Sequence, residues 1–270
     1  MVYKQLTFIP VSEETSSILI ALLSEKGFEG FEEGPDSLKA FIPADAFNEA
    51  DIVTIAGPFN LEYTVDDIAE TNWNAQWESG FEPVVIDDFL AIRAHFHEAI
   101  PGVKYDIIIT PKMSFGTGHH ATTYLIAKSM EQLDFNGKSV FDFGTGTGIL
   151  AILAEKMGAG DILAIDYDKW SIENSRENLE RNHCTHTTLK LADSAAGAGQ
   201  FEVILANINR QVILDNMAAL KENLIPGGIL LLSGLLEDDE TIVHEKASSY
   251  GLILREKNSR SGWISLKYSH

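Results

Sequence analysis

The sequence predicts an α/β chain in two parts, a small α+β domain followed by a larger, mostly parallel, doubly wound sheet. Three observations carry this. From residue 140 onward, apolar runs of strand length alternate with segments of helical period, the order that builds parallel sheets. Before residue 66 the order is instead strand, helix, strand, strand, helix, strand, the split βαβ pattern of ferredoxin-like domains. The chain has 270 residues, 45% of them hydrophobic, and a chain of this length hides roughly 70–75% of its unfolded surface, enough for two cores.

In the first part, residues 3–10 alternate as a strand. Ser12, Glu13 and Glu14 then open a helix in which Ile18, Leu19, Leu22 and Leu23 recur at helical spacing, and Gly27 stops it. Residues 28–31 and 38–42 read as strands joined around Gly34, Pro35 and Asp36, residues 44–55 as a second helix, and 61–65 as a fourth strand. Within 66–82, Trp73, Trp77 and Phe81 stand at four-residue spacing, which lines three aromatics along one helix face. Burial between domains accounts for that stripe better than ligand stacking. The expected domains are 1–65, a linking helix at 66–82, and 83–270.

Short apolar runs at 84–86, 90–92 and 107–109 predict a small sheet ahead of the main one. Strands at 140–143, 161–165, 188–191, 203–206, 228–232, 252–256 and 263–267 then interleave with helices at 121–132, 149–157, 170–182, 212–220 and 238–249. In such sheets the ligand lies beyond the carboxyl ends of the strands, near the point where strand order reverses.

Charge is spread unevenly. Of the formal net charge of −20, residues 1–92 carry −15 and residues 93–270 carry −5. This field repels phosphate backbones, so direct nucleic-acid binding is not expected, and it speeds encounter with a basic partner; solubility alone would also explain it. The single Cys184 excludes an intramolecular disulfide framework and a Cys-rich zinc site. No apolar run reaches the ~18 residues of a membrane span, and the opening residues lack a signal peptide's long apolar core. A soluble, cytoplasmic protein is the expectation.

The first strand of the parallel sheet runs into Asp142-Phe143-Gly144-Thr145-Gly146-Thr147-Gly148 and then a helix. Glycines let the backbone turn sharply and approach a ligand closely. A dinucleotide fingerprint spaces them G-x-G-x-x-G, whereas this loop reads G-x-G-x-G, with Asp142 two residues ahead of the first glycine. That acid opposes a diphosphate and suits a cation. The next strand ends on Asp166, where a ribose diol would sit; a carboxylate can accept from both hydroxyls, each bond contributing about 1.5–3 kcal/mol. Asp166 therefore points to an adenosine ligand, with capping of the following helix as the bland alternative. Later, Ala206-Asn207-Ile208-Asn209 closes a strand without the prolines that hold planar nitrogen groups, which makes a planar acceptor less suited. Upstream lies a second signature, Phe115-Gly116-Thr117-Gly118-His119-His120 with Thr122 and Thr123. Adjacent histidines seldom present both rings to one ion and no third ligand is evident, so no metal is expected.

Taken together, these residues resemble the ribosomal protein L11 methyltransferase family (PrmA-type) of class I S-adenosylmethionine-dependent methyltransferases. The paired loops carry the likeness, joined by Asp166, Asn207, the aromatic segment of Trp73, Trp77, Phe81 and Pro83, and Gly262-Trp263; Lys112 departs from the glycine usual there. The resemblance implies a ferredoxin-like recognition domain and a Rossmann-like catalytic domain. It further implies transfer of methyl groups from S-adenosylmethionine, leaving S-adenosylhomocysteine, to lysine side chains or the α-amino group of a basic ribosomal protein, L11. Thr123, Gly144, Asp166 and Asn207 would then bind the cofactor, with Gly146 of the same loop. The acceptor amine must be neutral, so no strong base is expected near the methyl, and Asn207 is the candidate for orienting the amine. A monomer is favoured. Rival readings are a same-fold methyltransferase acting on a small molecule or another protein, an NAD-linked oxidoreductase, and a non-catalytic binding module.

Overall fold

The computed structural model describes residues 3–59, 61–68, 81–111 and 117–270. The chain divides into two compact units, residues 1–81 and 82–270.

In the first unit the alternation of Leu6 and Phe8 along β1 (Tyr3–Ile9) turns one face of the strand inward. Strands β2 (Gly30–Glu33), β3 (Leu38–Pro43) and β4 (Glu62–Ile68) join it in the order β2-β3-β1-β4, with every pairing antiparallel. Helices α1 (Glu13–Ser24) and α2 (Glu49–Ala56) supply Leu19, Leu23, Ile52 and Ile55 to the core formed with Leu6, Phe8, Leu38, Ala40 and Ile42. Connectivity and order are ferredoxin-like. The Ser12 hydroxyl accepts from the Thr15 amide, the cap expected of it. Gly27, at φ +89°, turns the chain out of α1, and that turn delays β2 to residue 30 rather than 28. α2 starts at Glu49, not 44, because the Asn48 side chain accepts from the Ala50 amide and caps it there. β4 runs on to Ile68, past the expected boundary at 65. Trp73 and Trp77 lie outside the described residues.

The second unit opens with β5 (Val84–Ile86), β6 (Leu90–Ala94) and β7 (Tyr105–Ile109), a small sheet in which β6 pairs antiparallel to β5 and parallel to β7. The Arg93 guanidinium, 8% exposed, grips Asp106 on the neighbouring strand with bonds of 2.8–3.0 Å. Helix α3 (Ala121–Glu131) leads into the main sheet. There the elements alternate as β8 (Ser139–Phe143), α4 (Ile149–Lys156), β9 (Asp161–Asp166), α5 (Lys169–Arg181) and β10 (Thr187–Leu191). They continue as β11 (Phe201–Asn207), α6 (Arg210–Glu222), β12 (Leu224–Leu236), α7 (Glu240–Ser249), β13 (Ile253–Arg260) and β14 (Trp263–Ser269).

Seven strands lie in the order β10-β9-β8-β11-β12-β14-β13. The first five are parallel and β14 runs antiparallel to both of its neighbours. Phe141, Phe143, Ile204 and Ala206 point to one face and pack with Ile213, Met217, Val243 and Ala247 of α6 and α7. Strand order reverses between β8 and β11, which places a crevice at their carboxyl ends.

Candidate functional site

Gly144, Gly146 and Gly148 adopt φ of +79°, +57° and +84°, a region that L side chains rarely enter. This backbone turns β8 into α4 over a few residues. The amides of Gly144 and Thr145 both donate to the Ile165 carbonyl at 2.9 Å, Gly146 donates to Asp166 Oδ2 at 2.9 Å, and Gly148 donates to the Thr145 carbonyl at 2.9 Å. With these amides spent on protein oxygens, the loop has little to offer a phosphate. Its carbonyls are held from α5: the Ser175 hydroxyl donates to Gly146 O at 2.6 Å and Asn178 Nδ2 to Thr147 O at 2.8 Å. A Cβ on Gly144 would stand 2.2 Å from Ile208 Cγ2, so glycine is required there by contact as well as by conformation.

Asp142 does not line the crevice. It is fully buried and accepts from the Thr145 hydroxyl at 2.6 Å. Burial pushes its carboxyl up to about 7, reinforced by the charge of Asp166 and opposed by the Thr145 bond. The role given to it by its place in the motif thus belongs to the interior of the loop.

Asp166 sits at the end of β9, 7% exposed, with Oδ1 accepting from the Asp168 amide at 3.0 Å. Capping of α5 falls to Asp168, which accepts from the amides of Trp170 and Ser171. Asp166 is therefore fixed in orientation and retains lone pairs toward the crevice.

On the other side of the switch point, the Asn207 Oδ1 at the end of β11 is buried without a hydrogen-bond partner. Asn209 caps α6 through the Val212 amide. Ile208 is wedged between the sheet's two halves. Its side chain lies against Gly144, and a Cβ on Gly234, at φ +84°, would stand 2.3 Å from its carbonyl oxygen. Gly234 belongs to a break in register of β12 between Leu232 and Leu235. Beside it the buried Ser233 hydroxyl lies within reach of the carbonyls of Thr122 (3.3 Å) and Ile264 (3.1 Å), tying α3 to the sheet.

Both histidines of the upstream signature are tied into the fold by hydrogen bonds. His119 Nε2 donates to the Glu82 carbonyl at 2.9 Å while Nδ1 accepts from the Thr117 hydroxyl. His120 Nδ1 accepts from the Thr122 amide and caps α3, and its ring meets Trp263 edge-on at 4.5 Å. Among the described residues no group of three or more His, Cys, Asp or Glu is placed to hold a metal. Phe115 and Gly116 lie outside the described residues.

One crevice of ≈ 780 Å³ collects most of these groups. Gly144, Gly146, Asp166 and Asn207 line it, as do Asp168 and Asp193 on the β9–β10 side and Gly234, Trp263 and His120 on the β12–β14 side. Thr123 does not; its neighbour Thr122 does, while the Thr123 hydroxyl is buried without a partner. Sequence reasoning missed Ser175 and Asn178, whose signal was a row of small polar side chains on the face of α5 where apolar ones were sought.

A seven-stranded sheet with one antiparallel strand, a glycine loop after its central strand and an acid at the end of the next define the class I methyltransferase fold. Residues 36–270 match the family described as Ribosomal protein L11 methyltransferase (PrmA). A protein of Porphyromonas gingivalis bearing that name is 40% identical over 265 residues, 95% of this chain and 91% of that protein. The chain belongs to the ribosomal protein L11 methyltransferase family. Among solved structures, a ribosomal protein L11 methylase from Lactobacillus delbrueckii subsp. bulgaricus superposes with a TM-score of 0.66 at 27% identity, covering 70% of this chain and 99% of that one. The T. thermophilus 16S rRNA N2 G1207 methyltransferase (RsmC), solved with AdoMet and guanosine, shares the fold at a TM-score of 0.50 and 20% identity, over 58% of this chain and 45% of that one.

Proposed function

We propose that this chain is an S-adenosylmethionine-dependent protein methyltransferase that modifies amines, lysine side chains or the α-amino group, of ribosomal protein L11. The observation that carries the reading is the convergence of Gly144, Gly146, Asp166 and Asn207 on one crevice; the Asn207 Oδ1 is buried and has no hydrogen-bond partner within the fold. A buried acceptor without a donor costs about 1–3 kcal/mol, and a ligand ammonium would supply the donor. The spent amides of the glycine loop favour such a cationic ligand over a diphosphate, which counts against the nicotinamide-dinucleotide reading.

When bound, S-adenosylmethionine supplies an electrophilic methyl on a sulfonium centre. The chain's own residues do the rest. Asp166 is preset by two backbone bonds to receive ribose hydroxyls, and Asn207 to orient an amino group. A lysine amine of ordinary pKa must lose its proton before attack, at a cost of roughly 4–5 kcal/mol at pH 7. Carboxylates beside it would raise that cost. Among the described lining residues, Asp166, Asp168 and Asp193 all belong to the β9–β10 side, whereas the β12–β14 side presents Gly234, Trp263, His120 and Thr122. An amine arriving on the latter side meets no carboxylate, and positioning supplies most of the rate.

A ribosomal substrate supports a cytoplasmic location. Among the described residues no helix is long and apolar enough to cross a membrane. Calorimetric titration with S-adenosylhomocysteine should give saturable binding at one site, and no binding would remove every methyltransferase reading. Incubation with methyl-labelled cofactor and ribosomal proteins should label one dominant band, L11; a dominant band elsewhere overturns the substrate.

A further inference from the structure

Helix α5 carries polar residues on its buried side. Ser175, Asn178 and Asn182 are 0%, 0% and 8% exposed, and their spacing of three and four residues puts them on one face. Ser175 and Asn178 bond to backbone of the glycine loop and of Thr110, and Asn182 to Ile108 of β7 and to the Asn178 carbonyl one turn back, which is why a polar face is tolerated there.

Asn178 acts in two directions. Its Nδ2 donates to the Thr147 carbonyl of the glycine loop at 2.8 Å, and its Oδ1 accepts from the Thr110 amide, one residue beyond β7, at 2.7 Å. One helical turn earlier, Ser175 donates to the Gly146 carbonyl. One turn later, Asn182 pairs with both the amide and the carbonyl of Ile108 on β7 and reaches no part of the loop. Gly146 is also the residue whose amide holds Asp166. The height of the loop, the direction of the Asp166 carboxylate and the exit of β7 are therefore set from one helix face.

We infer that Asn178, with Ser175, is a positioning element for cofactor affinity, holding the glycine loop in its ligand-ready shape against the end of β7. The inference rests on the proposed cofactor reading. It adds residues that touch neither ligand nor crevice: neither side chain lines the cavity. Asn182 provides an internal control, since it makes the same kind of clamp on β7 without the loop.

Asn178→Asp keeps the acceptor for Thr110 and replaces the donor to Thr147 by a second acceptor. Asn182→Asp makes the same exchange at Ile108. Both variants should lose melting temperature. Only Asn178→Asp should raise the Kd for S-adenosylhomocysteine and the KM for S-adenosylmethionine, by about ten-fold, the effect of one lost hydrogen bond to a buried group, with kcat at saturating cofactor within about two-fold of wild type. Ser175→Ala, which removes only the bond to Gly146, should raise the same Kd several-fold, and it carries the test if Asn178→Asp fails to fold. A purely structural role would lower the active fraction, and so kcat, while leaving both constants in place. Unchanged Kd in the folded Asn178→Asp and Ser175→Ala variants, or an equal rise in Asn182→Asp, overturns the inference. A wild-type chain that binds no S-adenosylhomocysteine instead overturns the cofactor reading beneath it.

Discussion

The Thr145 hydroxyl donates to Asp142 Oδ2 across 2.6 Å in a site closed to solvent, and the carboxylate's other oxygen has no partner. Asp142 thus enters the fold with incomplete compensation. Its carboxyl stands near 7 against 3.8 in the unfolded chain, with burial the main cause. The folded state binds the proton more tightly, so this group's contribution to stability is complete below about pH 4 and is lost as pH rises toward 7, at up to about 1.4 kcal/mol per pH unit. Asp142→Asn keeps an acceptor for Thr145 and carries no charge. Denaturant unfolding between pH 4 and 8 should show a smaller loss with rising pH in that variant than in wild type. Parallel curves would exclude Asp142 as the source.

Two glycines of β12 separate conformation from contact. Gly227 and Gly234 have φ of +80° and +84°, but a Cβ meets nothing within 4 Å at Gly227 and lies 2.3 Å from the Ile208 carbonyl oxygen at Gly234. Gly227→Ala should cost about 1–2 kcal/mol, the penalty of the left-handed region alone. Gly234→Ala must also displace the backbone of Ile208 and should cost about 3 kcal/mol or more, with weaker binding of S-adenosylhomocysteine because Ile208 leans on Gly144. Equal unfolding midpoints for the two variants would contradict the wedge.

What could be read from the sequence follows from which forces leave a periodic trace. The inner strands of the main sheet are mostly buried, so their apolar runs located them within a few residues, and Gly144, Gly146, Asp166 and Asn207 came together because strand order alone sends those ends to one crevice. β4 was cut short since Asp66 and Asp67, exposed on an edge strand, give no apolar signal. The polar face of α5 was invisible for the opposite reason: Ser175 and Asn178 look like surface residues, and only the backbone carbonyls they satisfy explain their burial. Asp142 stood in the right motif, but its direction depends on Thr145, a contact that spacing does not encode.

Asn207 Oδ1 accepts no hydrogen bond within the fold. Removing it should therefore leave stability within about 1 kcal/mol, in the range of substitutions that break no network. Methylation should fall at least about ten-fold, the worth of one bond to a charged group. Unfolding curves and turnover measured side by side on Asn207→Ala test the split, and unchanged turnover at saturating cofactor would remove Asn207 from the reaction.

The acidic first unit spends its few cations internally: Lys4 pairs with Asp67, Lys26 with Asp51 and Lys39 with Glu32. Glu29, Glu32 and Glu33, the acids that stand out in the sequence, accept from Tyr3, Lys39 and Ser16, so reversing them disturbs the fold as well as the field. Asp36, Glu62 and Asp66 are exposed and give a cleaner probe. Reversing all three to Lys should slow capture of a basic protein substrate several-fold at low salt and leave affinity for S-adenosylhomocysteine unchanged. The difference should vanish near 1 M salt, where the screening length falls to about 3 Å. Stopped-flow association across a salt series distinguishes the outcomes: a slope shared with wild type would mean that the acidity serves solubility and not recognition.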